Sequence, residues 1–465
     1  MAVASLRRHE IVLAYIATLQ LLLTTRVKAV VLRTDTFVSP AQRLSGSSVA
    51  RTDSEASHAQ HRPLNLAHSG QIIPHPIKLQ NHLGVQYLGP ISFGEQDFSA
   101  IYDTGSFETI VLSMRCGTCG NETPRYDSEE SNTFEPLDDK SMVHVFGSGP
   151  VLARRSAETI TFGDASSPYV VEHMPFWQVE RHNLNVWKNE DGAKFSAIVG
   201  LGPRAKVPDS NVDTLLERLD VDSFGYCLEE ADRAPGWITL QPSLSALPQQ
   251  PTRVPVIGDI HWATQLTEVS FTSEPGIVVC EDKCGAIVDT GTSMIGLPKK
   301  AHDSLMASLP EVKQDCSNLA ELPNLEFHLN GHKLELPPSI WVHKMTPRMV
   351  SEQLETQVST PSCWPAFTTI EKETQLGPLW ILGMPFFRKY YTIFDRSGPA
   401  IHVAPSDGAC YMSSGPTLVA PNAQSEEVIG NFANRAHGAG KQKSRESSIR
   451  RPEGRLPAWA LPSSP

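Results

Sequence analysis

The sequence contains an internal duplication that constrains the fold more than any other feature. The segment AIYDTGSFETI at residues 100–110 and the segment AIVDTGTSMIG at 286–296 share a hydrophobic run, an Asp-Thr-Gly triplet and a following hydroxyl residue. The copies lie 186 residues apart, about one domain length. One Asp-x-Gly is a common turn after a strand, whereas two copies in matching apolar contexts predict two similar lobes.

The remaining sequence is typical of an all-β protein with two lobes. A chain of 465 residues is too long for one ordinary hydrophobic core. Its 36 prolines and 31 glycines separate short apolar runs such as VQYLGPISFG, ETITFG, GWITL and PLWILGMPFFRKYYTIFD, which predict strands and hairpins. Helical periodicity is clearest in VDTLLERL at 212–219 and KKAHDSLMASL at 299–309, which we interpret as packing elements.

The two ends of the chain differ from this body. Arg7 and Arg8 precede an apolar run of about 13 residues, so residues 1–29 are predicted to be a signal peptide; an uncleaved anchor is the weaker alternative. The polar composition that follows predicts a removable pro-segment at 30–78 and a disordered tail at 413–465. Between them we expect an N-terminal catalytic lobe at 79–225 and a C-terminal catalytic lobe at 226–412.

The charge distribution limits the possible partners. The formal net charge is -11, but residues 1–80 and 431–465 each carry a net charge of +5, which leaves about -21 on the body. So acidic a body repels nucleic acid, and a basic N-terminal segment can lie on it. We therefore expect no nucleic-acid partner. Because this attraction weakens as carboxylates become protonated, we infer an acidic working pH.

Paired carboxyl groups explain why both triplets are needed. Hydrolysis of a peptide bond without a metal or a covalent nucleophile requires one group to deprotonate water and another to protonate the amide. Asp103 and Asp289 are our catalytic candidates, and two carboxyls so close share a proton. The following residues are assigned to catalytic support, since Gly permits a tight turn and hydroxyls donate hydrogen bonds: Thr104, Gly105, Ser106, Thr290, Gly291 and Thr292.

These motifs resemble those of the pepsin family of aspartic proteases over roughly residues 79–410. Each lobe of that family has a second element of two hydrophobic residues and Gly, which AIVGLG around Gly200 and WILGMPFF around Gly383 resemble. The resemblance implies an all-β, bilobal fold with the active-site cleft between two β-barrel-like lobes. It also implies an aspartic endopeptidase that is made as a secreted zymogen and needs no cofactor and no metal.

The same resemblance implies the partners and the final location. The partners are a protein or peptide substrate and the chain's own pro-segment, which would act as an intramolecular inhibitor, and the chain would be a monomer. The secretory pathway would deliver it outside the cell or to an endolysosomal or secretory organelle.

The hairpin VHVFGSG at 143–149 is similar to the family's flap, which folds over substrate. The Tyr of that motif is replaced by Phe146, and the Trp that partners it is replaced by Ile110. Losing both partners leaves no unpaired buried donor, so we expect altered flap behaviour and not an inactive enzyme. The resemblance implies substrate contacts, and a preference for hydrophobic residues at the scissile bond, from Phe146, Gly147, Ser148, Phe195 and Ile198. Core packing is the alternative role of Phe195 and Ile198.

Eight cysteines on the secretory route are an even set able to form four disulfides. Resemblance to the family and its relatives implies the pairs Cys116–Cys119, Cys280–Cys284, Cys316–Cys363 and Cys227–Cys410. The alternative for Cys116 and Cys119 is a redox or zinc half-site, but the sequence around them offers no second ligand pair.

Other classes of protein fit the sequence less well. The main alternative is a catalytically silent, pepsin-like peptide-binding protein, although both Asp residues are present. A serine hydrolase lacks its GxSxG segment here, and a zinc peptidase lacks HExxH. Asn121 begins a glycosylation sequon of a kind that often arises by chance.

Overall fold

A computed structural model of the chain describes residues 76–119, 123–163, 165, 168–187, 194–203, 214–247, 249–258, 260–272, 278–346, 361–406 and 410. The expected signal peptide and tail, nearly all of the expected pro-segment and Asn121 of the sequon lie outside these residues. Within the described part, no helix has the length and apolar character needed to cross a membrane.

β-Strands dominate the described residues, which confirms the all-β, bilobal fold class. The first half contains β1 (Ile77–His82), β2 (Gln86–Phe93), β3 (Gln96–Asp103), β4 (Thr109–Leu112), β5 (Glu135–Phe146), β6 (Gly149–Phe162), β7 (Tyr169–His182), β8 (Ala197–Gly200), β9 (Ser223–Leu228) and β10 (Gly236–Leu240). The second half contains β11 (Thr252–Pro255), β12 (Ala263–Phe271), β13 (Cys284–Val288), β14 (Ile295–Leu297), β15 (Leu325–Leu329), β16 (His332–Leu336), β17 (Val342–Met345), β18 (Ser362–Pro365), β19 (Phe367–Thr369), β20 (Glu373–Thr374), β21 (Gly377–Leu382), β22 (Tyr390–Asp395) and β23 (Ala400–Pro405).

The helices are short and cover the sheets. They are α1 (Leu215–Arg218), α2 (Lys299–Ser308), α3 (Pro338–Trp341) and α4 (Met384–Lys389), with 3₁₀ turns at Asn185–Trp187, Leu244–Ala246 and Leu319–Glu321. The two helices expected from periodicity are α1 and α2. A capping box between Thr214 and Glu217 stabilises the start of α1. The run at 378–395, which predicted strands and hairpins, contains α4 between β21 and β22. Gly383 precedes this helix and Pro385 lies in its first turn, where proline is tolerated.

The two halves repeat one strand motif. β3 runs parallel to β8 with Asp103 opposite Gly200, and β4 pairs antiparallel with β8. In the second half, β13 runs parallel to β21 with Val288 opposite Leu382, and β14 pairs antiparallel with β21. Both Asp-Thr-Gly triplets therefore follow the same point of the same motif.

Close packing explains the glycine in the second element of each half. A Cβ atom added to Gly200 would lie 2.2 Å from the carbonyl carbon of Phe107, and one added to Gly383 would lie 2.2 Å from the oxygen of Met294. Both contacts are with backbone, so a larger residue at either glycine would force the catalytic loop to move.

A shared sheet joins the halves. Its order is β11-β23-β22-β9-β10-β1-β2-β3-β8-β4-β7-β6-β5, and a second sheet, β16-β15-β12-β13-β21-β14-β19, belongs to the second half. The lobe boundary expected between residues 225 and 226 falls within β9, which pairs with β22 from the end of the described body. Residues 77 and 78, expected to end the pro-segment, begin β1. Both predicted domain boundaries therefore fall inside a strand of the shared sheet.

One large hydrophobic core runs through both halves of the body. Phe224 and Phe394 stack with ring centroids 4.9 Å apart, and Trp262 packs against Phe394 at 5.0 Å. The indole N–H of Trp262 donates to the carbonyl of Leu201 over 2.9 Å, which satisfies its buried polar group. The four disulfides of the structure are the four pairs expected: Cys116–Cys119, Cys227–Cys410, Cys280–Cys284 and Cys316–Cys363.

His343 on β17 is a buried histidine that opposes stability at acid pH. Its ring lies 4.6 Å from that of Trp364, and Nε2 has no hydrogen-bond partner among the described residues. Burial and, to a lesser degree, the charge of Arg388 lower the pKa of His343 to about 3. An unfolded histidine titrates near 6.5, so below that pH the unfolded chain binds more protons than the folded one. The folded state therefore loses stability as the pH falls from about 6.5 towards 3.

Replacing His343 by Phe removes this protonation difference while keeping a ring in the site. We expect the decrease in the free energy of unfolding between pH 7.0 and pH 4.5 to be about 2–3 kcal/mol smaller in His343→Phe than in the wild type. Urea titrations at both pH values measure it, with His332→Phe on exposed β16 as the control. Equal decreases in the wild type and His343→Phe would refute the assignment.

Candidate active site

Asp103 and Asp289 lie side by side where the two strand motifs meet. Asp103 ends β3 and Asp289 directly follows β13, and the two residues are only 8% and 9% exposed. A Cβ atom added to Gly105 would lie 2.7 Å from Oδ1 of Asp289, and one added to Gly291 would lie 2.3 Å from Oδ1 of Asp103. The carboxyl group of each half thus packs against the glycine of the other half, and only glycine leaves room for it.

Each carboxyl group accepts the same two hydrogen bonds. Oδ1 of Asp103 accepts from the N–H of Gly105 at 2.8 Å, and Oδ2 accepts from the hydroxyl of Ser106 at 2.6 Å. In the second half, Oδ1 of Asp289 accepts from the N–H of Gly291 at 2.7 Å, and Oδ2 accepts from the hydroxyl of Thr292 at 2.6 Å. Local donors therefore orient both carboxyls through the turn that follows each Asp.

The two threonines of the triplets exchange hydrogen bonds across the lobes. The N–H of Thr104 donates to the hydroxyl of Thr290, and the N–H of Thr290 donates to the hydroxyl of Thr104, both at 2.9 Å. The Thr104 hydroxyl donates to the carbonyl of Val288 and the Thr290 hydroxyl to that of Tyr102. Both threonines are fully buried, so this network replaces water for every polar group involved.

The environment favours a protonated carboxyl on Asp103. Burial, which penalises the charge, is the largest cause, and the nearby charge of Asp289 and a hydrogen bond between the carboxyls add to it. The donors Ser106 and Gly105 act in the opposite direction, but the pKa of Asp103 is raised well above its usual range. The pair can therefore hold one proton at a pH where an exposed Asp would have lost it.

The flap hairpin is formed by β5 and β6, with Gly147 and Ser148 in the turn between Phe146 and Gly149. Phe146 is partly buried and packs against a hydrophobic cluster that contains Ile110 and the two remaining predicted pocket residues, Phe195 and Ile198. Phe195 and Ile198 are 2% and 7% exposed. The structure thus brings Phe146, Phe195 and Ile198 into one cluster, and places Gly147 and Ser148 at the hairpin turn.

His261 lies near the dyad and belongs to no motif of the sequence. Its ring lies 6.1 Å from that of Phe107, which follows the first triplet, and the charge of Asp289 acts on it. Burial is the larger effect and lowers the pKa of His261, against the opposing influence of Asp289. No motif includes His261; its only sequence cue is its position next to the buried Trp262.

Potential metal ligands among the described residues lie close together at Cys116, Cys119 and His182. The two sulfur atoms are bonded to each other in this structure, so neither is a thiolate. The expectation that the protein needs no metal stays a prediction.

Two buried carboxyls, brought together by a duplicated β motif and aligned by matched donors, define a site of the aspartic protease class. The profile of the eukaryotic aspartyl protease family matches residues 86–406, and the chain belongs to this family.

Three curated relatives are each 28% identical to the chain over the aligned residues. Pepsin A of Gallus gallus aligns over 340 residues, which cover 70% of this chain and 86% of that protein. Chymosin of Callithrix jacchus aligns over 346 residues, covering 70% and 82%. Renin of Rattus norvegicus aligns over 354 residues, covering 71% and 81%.

Replacing Thr104 by Val tests the exchange between the lobes. The change leaves the buried N–H of Thr290 without its acceptor and the carbonyl of Val288 without its donor, so we expect a loss of about 2–4 kcal/mol in the free energy of unfolding. Thr264→Val is the matched control, because that buried hydroxyl has no hydrogen-bond partner within the described part of the chain. Urea denaturation compares the two. If they cost the same, the exchange contributes nothing specific.

Proposed function

We propose that the chain is an aspartic endopeptidase that hydrolyses peptide bonds with water activated between Asp103 and Asp289. The observation that carries the proposal is a pair of buried, interacting carboxyls, each packed against the glycine of the other triplet and held by an identical set of local donors. One carboxyl takes a proton from water and the other donates a proton to the substrate, which is the division of labour that peptide hydrolysis requires. The raised pKa of Asp103 supports it, because it keeps a proton on the pair.

The substrate in this proposal is an extended peptide that lies across the cleft beneath the flap. The N–H groups of Gly147 and Ser148 would hydrogen-bond to its backbone, as in strand addition. The cluster around Phe146, Phe195 and Ile198 supports a preference for hydrophobic residues at the scissile bond. The low exposure of Phe195 and Ile198 supports a role in shaping this pocket through packing as much as through contact.

The proposal includes synthesis as a zymogen on the secretory route. Four disulfides fit an oxidising compartment, and the apolar run near the N-terminus fits a signal peptide. The segment at 30–78, which carries a net charge of +2, would lie on the acidic body as an intramolecular inhibitor. The active protein would be a monomer, with the lobes at 79–225 and 226–412, and would function outside the cell or in an endolysosomal or secretory organelle.

Isosteric replacement of each carboxyl tests the reaction. In Asp103→Asn or Asp289→Asn, no proton can be exchanged at that position, so we expect kcat to fall by about 10³-fold or more. The measurement is cleavage of a peptide library between pH 3 and pH 7 by the processed protein. Asp303→Asn, an exposed carboxylate on α2, is the control and should retain full activity.

The outcome also separates the proposal from its alternative. If the folded, processed wild type binds a statine-type inhibitor but cleaves nothing, the chain is a silent peptide-binding protein. If cleavage survives in both Asn variants, the reaction uses other residues.

Ser106 sets the pH range of the reaction in this proposal. Its hydroxyl stabilises the ionised form of Asp103, so Ser106→Ala raises the pKa of Asp103 further, and the general acid keeps its proton to higher pH. We expect the alkaline limb of the pH profile of kcat/KM to move to higher pH. Ser92→Ala is the matched control, since Ser92 donates to the exposed Asp97 at the same distance of 2.6 Å. A shift to lower pH in Ser106→Ala would contradict the assignment.

A further inference from the structure

A second carboxylate, Glu108, contacts the flap. Glu108 lies in the loop between Asp103 and β4, and His144 lies on the flap strand β5, two residues before Phe146. Nδ1 of His144 is 3.3 Å from Oε1 of Glu108, within hydrogen-bond distance. The imidazole also packs edge-on against Trp177 of β7, with ring centroids 4.2 Å apart. His144 thus lies between the catalytic loop and the sheet below the flap.

The loop that carries Glu108 is held firmly. The carbonyl of Glu108 accepts a hydrogen bond from the N–H of Gly200 at 3.1 Å, and the carbonyl of Ser106 accepts one from the N–H of Gly202 at 2.8 Å. The lack of a side chain at Gly200 lets the backbone of Phe107 and Glu108 approach closely. The carboxyl of Glu108 is therefore presented from a fixed backbone that is continuous with Asp103.

The flap end of the contact is held more weakly. β5 is the last strand of its sheet, and β6 is its neighbour in the strand order. Val143 and Val145 point away from the body and are 62% and 81% exposed. His144 and Phe146 alternate with them and point inward, so these two side chains connect the tip of the hairpin to the body, and Ser141 at the base of β5 donates a hydrogen bond to Glu180 of β7. The packing of Phe146 against apolar residues is non-directional, whereas the hydrogen bond between His144 and Glu108 fixes the orientation of the hairpin.

The surroundings of Glu108 favour its ionised form. Burial opposes ionisation of Glu108, but the contact with His144 and hydrogen bonds from the backbone of Glu108 and Phe107 outweigh it, and the pKa of Glu108 is lowered. Val151 of β6 is paired with both His144 of β5 and His182 of β7, so the two histidines lie on the same face of the sheet. Arg154 and Arg181 lie on the opposite face, and Arg154 bonds with Glu180.

We propose that Glu108 and His144 form a latch that positions the flap over the two aspartates and so determines how tightly peptide substrate is held. Both are positioning residues, since neither touches the reacting atoms. The proposal rests on the proposed peptidase function for its consequence, but the latch itself is a property of the free protein. The two claims can therefore be tested separately.

Hydrogen exchange of the flap amides tests the latch without catalysis. We expect the amides of residues 141–152 to exchange about tenfold faster in Glu108→Gln and in His144→Gln than in the wild type, because a partly buried hydrogen bond to a charged group is lost. The double variant should exchange no faster than the single ones. Glu135→Gln is the matched control: Glu135 also lies on β5 and pairs with His173 at 3.2 Å, but both side chains are more than half exposed.

Steady-state kinetics test the consequence for substrate. We expect Glu108→Gln to raise KM about tenfold with little change in kcat, and the exchanged pair Glu108→His with His144→Glu to recover part of the loss. If the flap exchanges at the wild-type rate in both single variants, there is no latch. Faster exchange in a protein without any activity would support the latch and refute the peptidase proposal instead.

Discussion

The exchange of hydrogen bonds between Thr104 and Thr290 is the interaction on which the site depends. Each N–H donates to the hydroxyl of the other threonine, and each hydroxyl donates onward to a carbonyl in the opposite half. Every one of these bonds joins residues 184 to 188 positions apart in sequence, so none can form until both halves are folded and docked. Because the triplets also carry the carboxyls, docking of the lobes and assembly of the dyad are one event.

That docking brings two acidic groups together in a buried site. Together with buried histidines elsewhere in the body, this site limits the pH range of the protein from both sides. Towards alkaline pH, the raised pKa of Asp103 determines where the pair loses its proton. Towards acid pH, buried histidines limit stability: burial, with the charge of Lys194, lowers the pKa of His82 to about 4, and His343 titrates near 3. The acidic working pH inferred from the charge of the body therefore lowers the stability of the folded state. We infer that the protein works above the pH at which these histidines become protonated and below the pH at which the pair of aspartates loses its proton.

The parts of the structure that follow from local sequence could be predicted, and those that depend on distant contacts could not. Asp-Thr-Gly and the hydrophobic-hydrophobic-Gly elements encode their own turns and close approaches, so the position of each Asp at the end of a strand follows from the motif. The disulfide pairs were expected from family resemblance. By contrast, α4 lies within an aromatic run that reads as strand, and its fold depends on packing of Phe386 and Phe387 in the core.

The same limit applies around the site. β9 belongs to a sheet shared with the last strands of the described body, and the pairing that places it there joins residues more than 160 positions apart. His261 and the contact between Glu108 and His144 carry no local signature, because each exists only when separate elements meet. The replacement of the flap Tyr and Trp by Phe146 and Ile110 was visible in the sequence, but the polar contact beside them was not.

The most direct test of the central claim is a crystal structure of the processed protein with a statine-type inhibitor, whose hydroxyl mimics the tetrahedral intermediate. We predict that this hydroxyl lies between Asp103 and Asp289, within about 2.5–3.0 Å of an oxygen of each carboxyl, while the Thr104–Thr290 exchange stays intact. An inhibitor bound away from the dyad, or carboxyls too far apart to share its hydroxyl, would contradict the claim that the two lobes build one catalytic pair.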